Sequence, residues 1–343
     1  MKRMLLILLV LVFAGGGCQS AGPDNTIRVL NYGEYMDMDL ITEFEEATGI
    51  RVLYEMYPTP EDMYTKVQAG GASYDLIITS DYMVERMIFE ERVRPLDLEN
   101  IPNYRYIAED FRGLPYDPED RYSVPYFWGT LGILYNTRMV EGTPDSWDLL
   151  WDERYRGQII MMDSQRDSLG AALKVLGYSL NSTDPAELEE ARDLLLAQKP
   201  LVLAYVVDEV KDMMIGEEGA VALLWSGEAV AAMDENPDLA YYVPREGSNI
   251  WVDAMFVPAD ARNPAGAEAF IDFLCETESS LRNVDYVWYS TVHTEALPLV
   301  DAELFENPGF HPPKEVLRSA EMFRYLGDAV DLYSRIWTEV LAH

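Results

Sequence analysis

Between Ile27 and Tyr54 the chain reads strand, helix, strand, and that order constrains the fold more than any other feature of the sequence. Ile27–Leu30 is an apolar run of β-formers, Asp39–Ala47 sets Leu40, Ile41 and Phe44 on one helical face, and Ile50–Tyr54 is a second strand. A helix between two strands is the unit that builds parallel sheets, because parallel neighbours need a long crossover. The rhythm returns. Asp75–Thr79 reads as a strand before a helix around Val84–Phe89, Gln158–Met162 precedes a helix at Leu169–Leu176, and Ala220–Trp225 precedes a helix at Glu228–Met233. Asn181, Ser182 and Thr183 supply capping side chains ahead of a further helix, Asp184–Leu196. The fold class is therefore α/β, with sheets flanked by helices and no internal repeat.

Length sets the number of units. The 343 residues exceed the roughly 100–200 expected of one domain. Two domains are expected, and 49% apolar residues suffice to give both a core. Their junctions should fall where strand-like segments meet Gly and Pro, at Pro125–Thr130 and Gly247–Val252. A chain that crosses at both places makes each domain discontinuous and couples the two through extended segments able to bend together.

The N-terminus carries an address. Lys2 and Arg3 precede an apolar run, Met4–Ala14, and then Gly15, Gly16 and Gly17 stand directly before Cys18. This is the pattern of a secretory signal, here residues 1–17, with the small residues of a bacterial lipobox and Gly15 where such boxes carry leucine. Cys18 is the expected acylated first residue of the mature chain, anchored to a bacterial membrane by lipid alone and located in the periplasm or cell envelope. The formal charge is −34, and loss of Lys2 and Arg3 takes it to −36. Such a field disfavours nucleic acid and phosphate ligands and favours cations. With Cys18 spent on lipid, Cys275 has no partner for a disulfide and sits in the apolar pattern AFIDFLCE, which suits a buried inert thiol. His293, His311 and His343 lack metal-ligand spacing, so neither a metal nor a cofactor is expected.

In open α/β sheets ligands bind beyond the carboxyl ends of strands, so the residues that follow each strand are the candidates. After the first strand come Asn31, Tyr32, Gly33, Glu34 and Tyr35; after the third, Ser80, Asp81 and Tyr82. After Met162 come Asp163, Ser164, Gln165, Arg166 and Asp167, and the Ala220 strand ends in Trp225, Ser226 and Gly227. Arg166 is the one basic residue among them. Carboxylates with aromatic faces fit an organic cation, since a cation over a ring gains about 0.5–2 kcal/mol. Trp251 and Asp253 form a further unit, because strand alternation puts both on one face.

The residues also carry a family resemblance. The stretches NYGEY (Asn31–Tyr35), YDLIITSDY (Tyr74–Tyr82), YSVPYFWGT (Tyr122–Thr130), SWDLLWDERYRG (Ser146–Gly157), RDSLGAALKVLGYSLNSTDP (Arg166–Pro185), LLWSGEA (Leu223–Ala229) and WVDAMFVP (Trp251–Pro258) resemble the polyamine-binding receptors of bacterial spermidine and putrescine ABC importers. The resemblance implies a two-lobed periplasmic-binding-protein fold, each lobe a central sheet flanked by helices, with the ligand in the cleft between them. It implies lobes of 24–129 plus 252–295 and 130–251 plus 296–343. The family's aromatic walls fall on Tyr32, Tyr35, Tyr82, Trp225, Trp251 and Tyr289, its ammonium-binding carboxylates on Glu34, Asp167 and Asp253, and its serine on Ser80. Where the family's spermidine receptors often have tryptophan and threonine this chain has Tyr32 and Gly33. An acid of the family aligns with Ser164, leaving Asp163 as its substitute, and a glutamine is replaced around Phe323. The implied partners are a small polyamine and the permease and ATPase subunits of an importer.

Three other readings start from the same residues. Tyr241 and Tyr242 could be adjacent oxygen ligands of a ferric-ion receptor, or an alternating strand, YYVP. Paired carboxylates could serve a hydrolase, but 60 acidic residues make chance pairs unavoidable, and no nucleophile elbow or phosphate loop accompanies them. A receptor that signals or adheres could use the same binding site. Capture without catalysis is the expectation.

Overall fold

The computed structural model describes residues 25–342. The leader 1–17, Cys18 and His343 lie outside the described residues. Ten strands are present among them: β1 (Thr26–Tyr32), β2 (Arg51–Tyr57), β3 (Leu76–Ser80), β4 (Ser123–Asn136), β5 (Ile159–Met162), β6 (Val202–Val206), β7 (Val221–Trp225), β8 (Leu239–Tyr242), β9 (Ile250–Phe256) and β10 (Ser290–Thr291). They join in the order β2-β1-β3-β9-β4-β7-β5-β6, with β8 and β10 also paired to β4.

The expected βαβ opening forms. β1 pairs in parallel with β2 and with β3, and the intervening helix Asp39–Thr48 buries Leu40 and Phe44. The helix ends at Gly49, whose φ of 70° is the left-handed conformation that closes a helix C-terminus. A wholly parallel sheet does not form. β9 runs antiparallel to both β3 and β4, because the chain enters it from the opposite end after leaving β8. Helices begin earlier than apolar periodicity suggests: Asp81–Phe89, Gln165–Val175 and Ser226–Glu235 each start within one to three residues of their strand's end. Polar and small residues in the first turn hide the starts at Gln165 and Ser226 from a reading based on apolar spacing.

β4 is the element that holds the assembly together. From Ser123 to Thr130 it pairs with β9, and from Leu131 to Asn136 with β7 and β8, so one strand of 14 residues serves two sheets. All 14 are buried. The first sheet (β2, β1, β3, β9, β10 and the front of β4) packs around Ile27, Leu30, Phe44, Ile77, Phe256 and Phe270. The second (the rear of β4, β5, β6, β7 and β8) packs around Ile133, Trp147, Ile159, Leu173 and Leu223 on one face and Ile160, Ala222 and Leu224 on the other. The C-terminal segment serves both cores: Leu304 and Phe310 join the first, while Tyr333, Ile336, Trp337 and Val340 of the helix Val330–Ala342 join the second. Burial of such apolar surface, about 25 cal/mol per Å², is the main force holding each lobe.

The crossing is tight. Leu131 N–H donates to Asn249 O at 3.1 Å, and Ile250 N–H donates to Glu321 O at 3.0 Å, so a third segment lies against the two crossing strands. A Cβ at Gly129 would stand 2.5 Å from Trp251 Cζ2 and 2.6 Å from Ser226 Oγ. Only the absence of a side chain lets the Trp251 indole lie across β4. No helix of the described residues is long and apolar enough to cross a membrane.

Gly129→Ala should therefore push the indole out of position and cost about 1–3 kcal/mol of stability, the range for overpacking a filled core. Urea unfolding checks it, and a midpoint equal to wild type would show that β4 can give way there.

Candidate ligand-binding site

A cavity of about 780 Å³ lies between the two sheets. It sits beyond the carboxyl ends of the parallel strands. Tyr32 closes β1, Ser80 closes β3 and Trp225 closes β7, while Gly33, Tyr35, Tyr82, Ser164 and Asp167 come from the first residues after β1, β3 and β5. Antiparallel β9 reaches it differently. Trp251 and Asp253 project from within the strand on one face, as alternation requires, and Tyr289 arrives just ahead of β10.

Two carboxylates are buried in this wall without a basic partner. Asp253 is 6% exposed, and its Oδ2 accepts a 2.6 Å hydrogen bond from the Tyr35 hydroxyl. Burial pushes its carboxyl up, the Tyr35 hydrogen bond restrains the rise, and the charge of Asp167 adds to it, leaving a pKa of about 7. Asp167 is likewise 6% exposed and accepts from Ser164 Oγ at 2.6 Å. Burial raises it, the Ser164 hydrogen bond lowers it and the charge of Glu61 raises it, giving about 6. A positive charge beside either carboxylate would lower its pKa and favour the ionised form.

Aromatic rings fill the space between them. Tyr35 meets Tyr32 edge to face at 5.4 Å and Tyr289 at 5.5 Å, and Tyr289 meets Trp251 at 5.0 Å. Tyr82 meets Phe323 at 5.8 Å. These contacts fix ring orientation, as edge-to-face pairs do. A methyl at Gly227 would drive into the Tyr289 ring, so glycine at the start of that helix is what seats Tyr289. Ser80 Oγ and Trp251 Nε1 are buried without a hydrogen-bond partner in the chain. A native structure leaves few such atoms, and both belong to residues of the cavity wall.

Of the residues expected from sequence, Tyr32, Gly33, Tyr35, Ser80, Tyr82, Ser164, Asp167, Trp225, Trp251, Asp253 and Tyr289 line the cavity, and Glu34 and Asp163 do not. Glu34 has φ 48°, its side chain is 72% exposed, and its Oε2 lies 3.1 Å from Lys211 Nζ. Asp163 Oδ1 instead accepts from Trp337 Nε1 at 3.2 Å. Arg166 is turned away from the wall: its guanidinium lies over Phe323 (4.3 Å) and Tyr82 (4.8 Å) and donates to Arg324 O and Asn181 Oδ1. No Lys, Arg or His lines the cavity among the described residues.

Sequence reading passed over Pro58, Pro60, Val207, Asp208, Glu228 and Asn249. The strand-end rule would have found some of them. Pro58 follows β2 and Val207 and Asp208 follow β6, but β6, half-buried and without a clean alternation, was not recognised as a strand. Tyr241 and Tyr242 do form an alternating strand, β8. Their hydroxyls donate to Thr130 O and Ser146 O, and neither residue reaches the cavity. No group of three or more His, Cys, Asp or Glu among the described residues is arranged to hold a metal ion. Cys275 is buried and its thiol is pushed well up by burial. His293 Nδ1 accepts from Glu295 N and Ala296 N while Nε2 meets Cys275 O, so the ring is a neutral structural link.

Residues 39–311 match the family described as bacterial extracellular solute-binding protein. The spermidine/putrescine-binding periplasmic protein of Escherichia coli (strain K12) is 30% identical over 330 residues, covering 96% of this chain and 95% of that one. A solved chain from Listeria monocytogenes superposes with a TM-score of 0.90 at 39% identity, covering 92% of this chain and 99% of that chain. The spermidine/putrescine ABC transporter substrate-binding protein PotD of Streptococcus pneumoniae gives 0.79 at 40% identity, with 92% and 98% covered.

The raised acids make a stability prediction. Protons held by Asp253 and Asp167 in the folded chain at pH 5–7 are released on unfolding, so their contribution to the ligand-free fold falls as pH rises through that window. Asp253→Asn keeps an acceptor for Tyr35 and removes one titration. The ligand-free variant should gain about 2 kcal/mol over wild type at pH 8, with the gain shrinking toward pH 5. Parallel pH profiles in thermal unfolding would remove Asp253 from this role.

Proposed function

Since the chain belongs to the bacterial extracellular solute-binding proteins, we propose that it captures a polyamine, putrescine or spermidine, and delivers it to the permease and ATPase subunits of an ABC importer. The observation that carries this reading is the pair of buried carboxylates, Asp253 and Asp167, set in aromatic walls with no basic side chain lining the cavity. An alkyl diammonium chain matches that surface. Each ammonium group takes a carboxylate, and the rings of Tyr32, Tyr35, Tyr82, Trp225, Trp251 and Tyr289 cover the methylenes. Ser80 Oγ supplies an acceptor that the chain leaves open.

The receptor works by capture without chemistry. Its lobes, 24–129 with 252–295 and 130–251 with 296–343, close by bending at the crossing of β4 and β9, and the last segment spans both. Closure excludes water and strengthens each charge pair. Release requires the importer to favour the open form, which is a shift of population between two states. Acylation at Cys18 tethers the receptor to the cell envelope by lipid alone, so it stays near the permease.

Calorimetry of the ligand-stripped domain starting after Cys18, titrated with putrescine and with spermidine, should give tight binding of at least one. Phosphate or an amino acid bound in preference to both would refute the reading. Asp253→Ala should weaken polyamine binding by about 2–5 kcal/mol, the cost of leaving one charge of a buried pair unpaired.

A further inference from the structure

A cation stands just behind one end of the cavity wall. The helix Glu209–Ile215, which follows β6, carries Lys211, whose Nζ lies 3.1 Å from Glu34 Oε2 and 3.3 Å from Glu228 Oε2. Glu228 is part of the cavity wall, and Glu34 comes from the loop after β1 on the opposite sheet. The lysine side chain is 21% exposed and that of Glu228 23%, so neither is a freely solvated surface group. Among the described residues Lys211 is the one basic side chain ion-paired with a carboxylate of the wall. Asp208, also of the wall, stands three residues before it.

Resting on the polyamine reading, we propose that Lys211 is a built-in ammonium group that, paired with Glu228 behind the wall, closes off a third cation position in the cleft and so selects a diamine over a triamine. The four acids of the wall, Asp167, Asp208, Glu228 and Asp253, differ in their partners. Asp253 and Asp167 have only neutral hydroxyl partners and are free for two ammonium groups. Glu228 is already committed to Lys211, as is Glu34 at the rim. Asp208 alone remains at that end, and a third ammonium drawn to it would sit in the field of the Lys211 cation. Discrimination of this kind needs a repulsive element as well as an attractive one, and Lys211 supplies it. A diamine spanning Asp253 and Asp167 never meets it.

Calorimetry with putrescine and spermidine on wild type, Lys211→Met and Lys211→Arg tests the assignment, with circular dichroism to establish folding. Wild type should bind putrescine more tightly than spermidine. Lys211→Met should shift the putrescine-to-spermidine affinity ratio toward spermidine by about tenfold or more, whereas Lys211→Arg, which keeps the cation, should retain the diamine preference. A wild type that prefers spermidine, or a Lys211→Met ratio equal to wild type, overturns the role of Lys211 and leaves polyamine capture standing. No binding of either amine to wild type overturns both.

Discussion

A carboxylate taken out of water without a cation is costly, and the arrangement of this chain around its cavity follows from how that cost is met. Four buried aspartates make the comparison. Asp75 accepts from three backbone N–H groups, of Arg28, Arg262 and Asn263. Asp117 accepts from those of Arg121, Tyr122 and Ser123 and from the Ser123 hydroxyl. Both are satisfied and organise loops. Asp253 and Asp167 each receive one neutral hydroxyl, from Tyr35 and Ser164. Their unmet demand for positive charge appears as a raised pKa, and only a ligand or a proton can meet it. Donors thus separate Asp75 and Asp117 from Asp253 and Asp167, although all four are buried.

Meeting that demand from both sides requires two lobes that can part. Asp253 stands on the first sheet and Asp167 follows β5 of the second, so a cation held by both joins the lobes. Three carboxylates already link the two. Glu61 accepts from Gln165 at 2.9 Å, Glu85 accepts from Arg324 Nε at 3.0 Å, and Glu34 accepts from Lys211 at 3.1 Å. In each the acid belongs to the first lobe and the donor to the second or to the C-terminal segment. Partly exposed pairs are worth about 0–1 kcal/mol each. Links of that strength hold a closed form without locking it, which suits a receptor that must both retain and surrender its ligand.

How much of this could be read from the sequence depends on which physical rule each feature obeys. The βαβ opening was legible because apolar spacing reports burial directly, and Trp251 and Asp253 were legible because a strand has period two. The positions after β1, β3, β5 and β7 followed from the strand-end rule. Antiparallel β9 was not legible: its direction is set by where the chain enters the sheet, which is a property of the whole topology. Tyr289 came only through family resemblance, since its place depends on Gly227 leaving room for the ring. Glu34 and Asp163 satisfy every local criterion for ligand contact and yet lie off the wall, because Lys211 and Trp337, distant in sequence, claim them first. Competition for a side chain is decided in three dimensions.

That competition also accounts for a lysine beside an acidic cleft. Without it, Glu34, Asp208 and Glu228 would face one another across one end of the cavity, and the burial of Glu228 already raises its pKa before the charges of Glu34 and Asp208 raise it further. Lys211 offsets that repulsion, and its own pKa rises because Glu228 and Glu34 outweigh the burial that would lower it. The lysine thus remains charged whenever the cleft is empty. A ligand ammonium could replace it only by matching two carboxylates at once. The empty cleft is therefore stabilised by the same group that narrows its choice of ligand, and the two effects cannot be separated by any substitution that removes the charge.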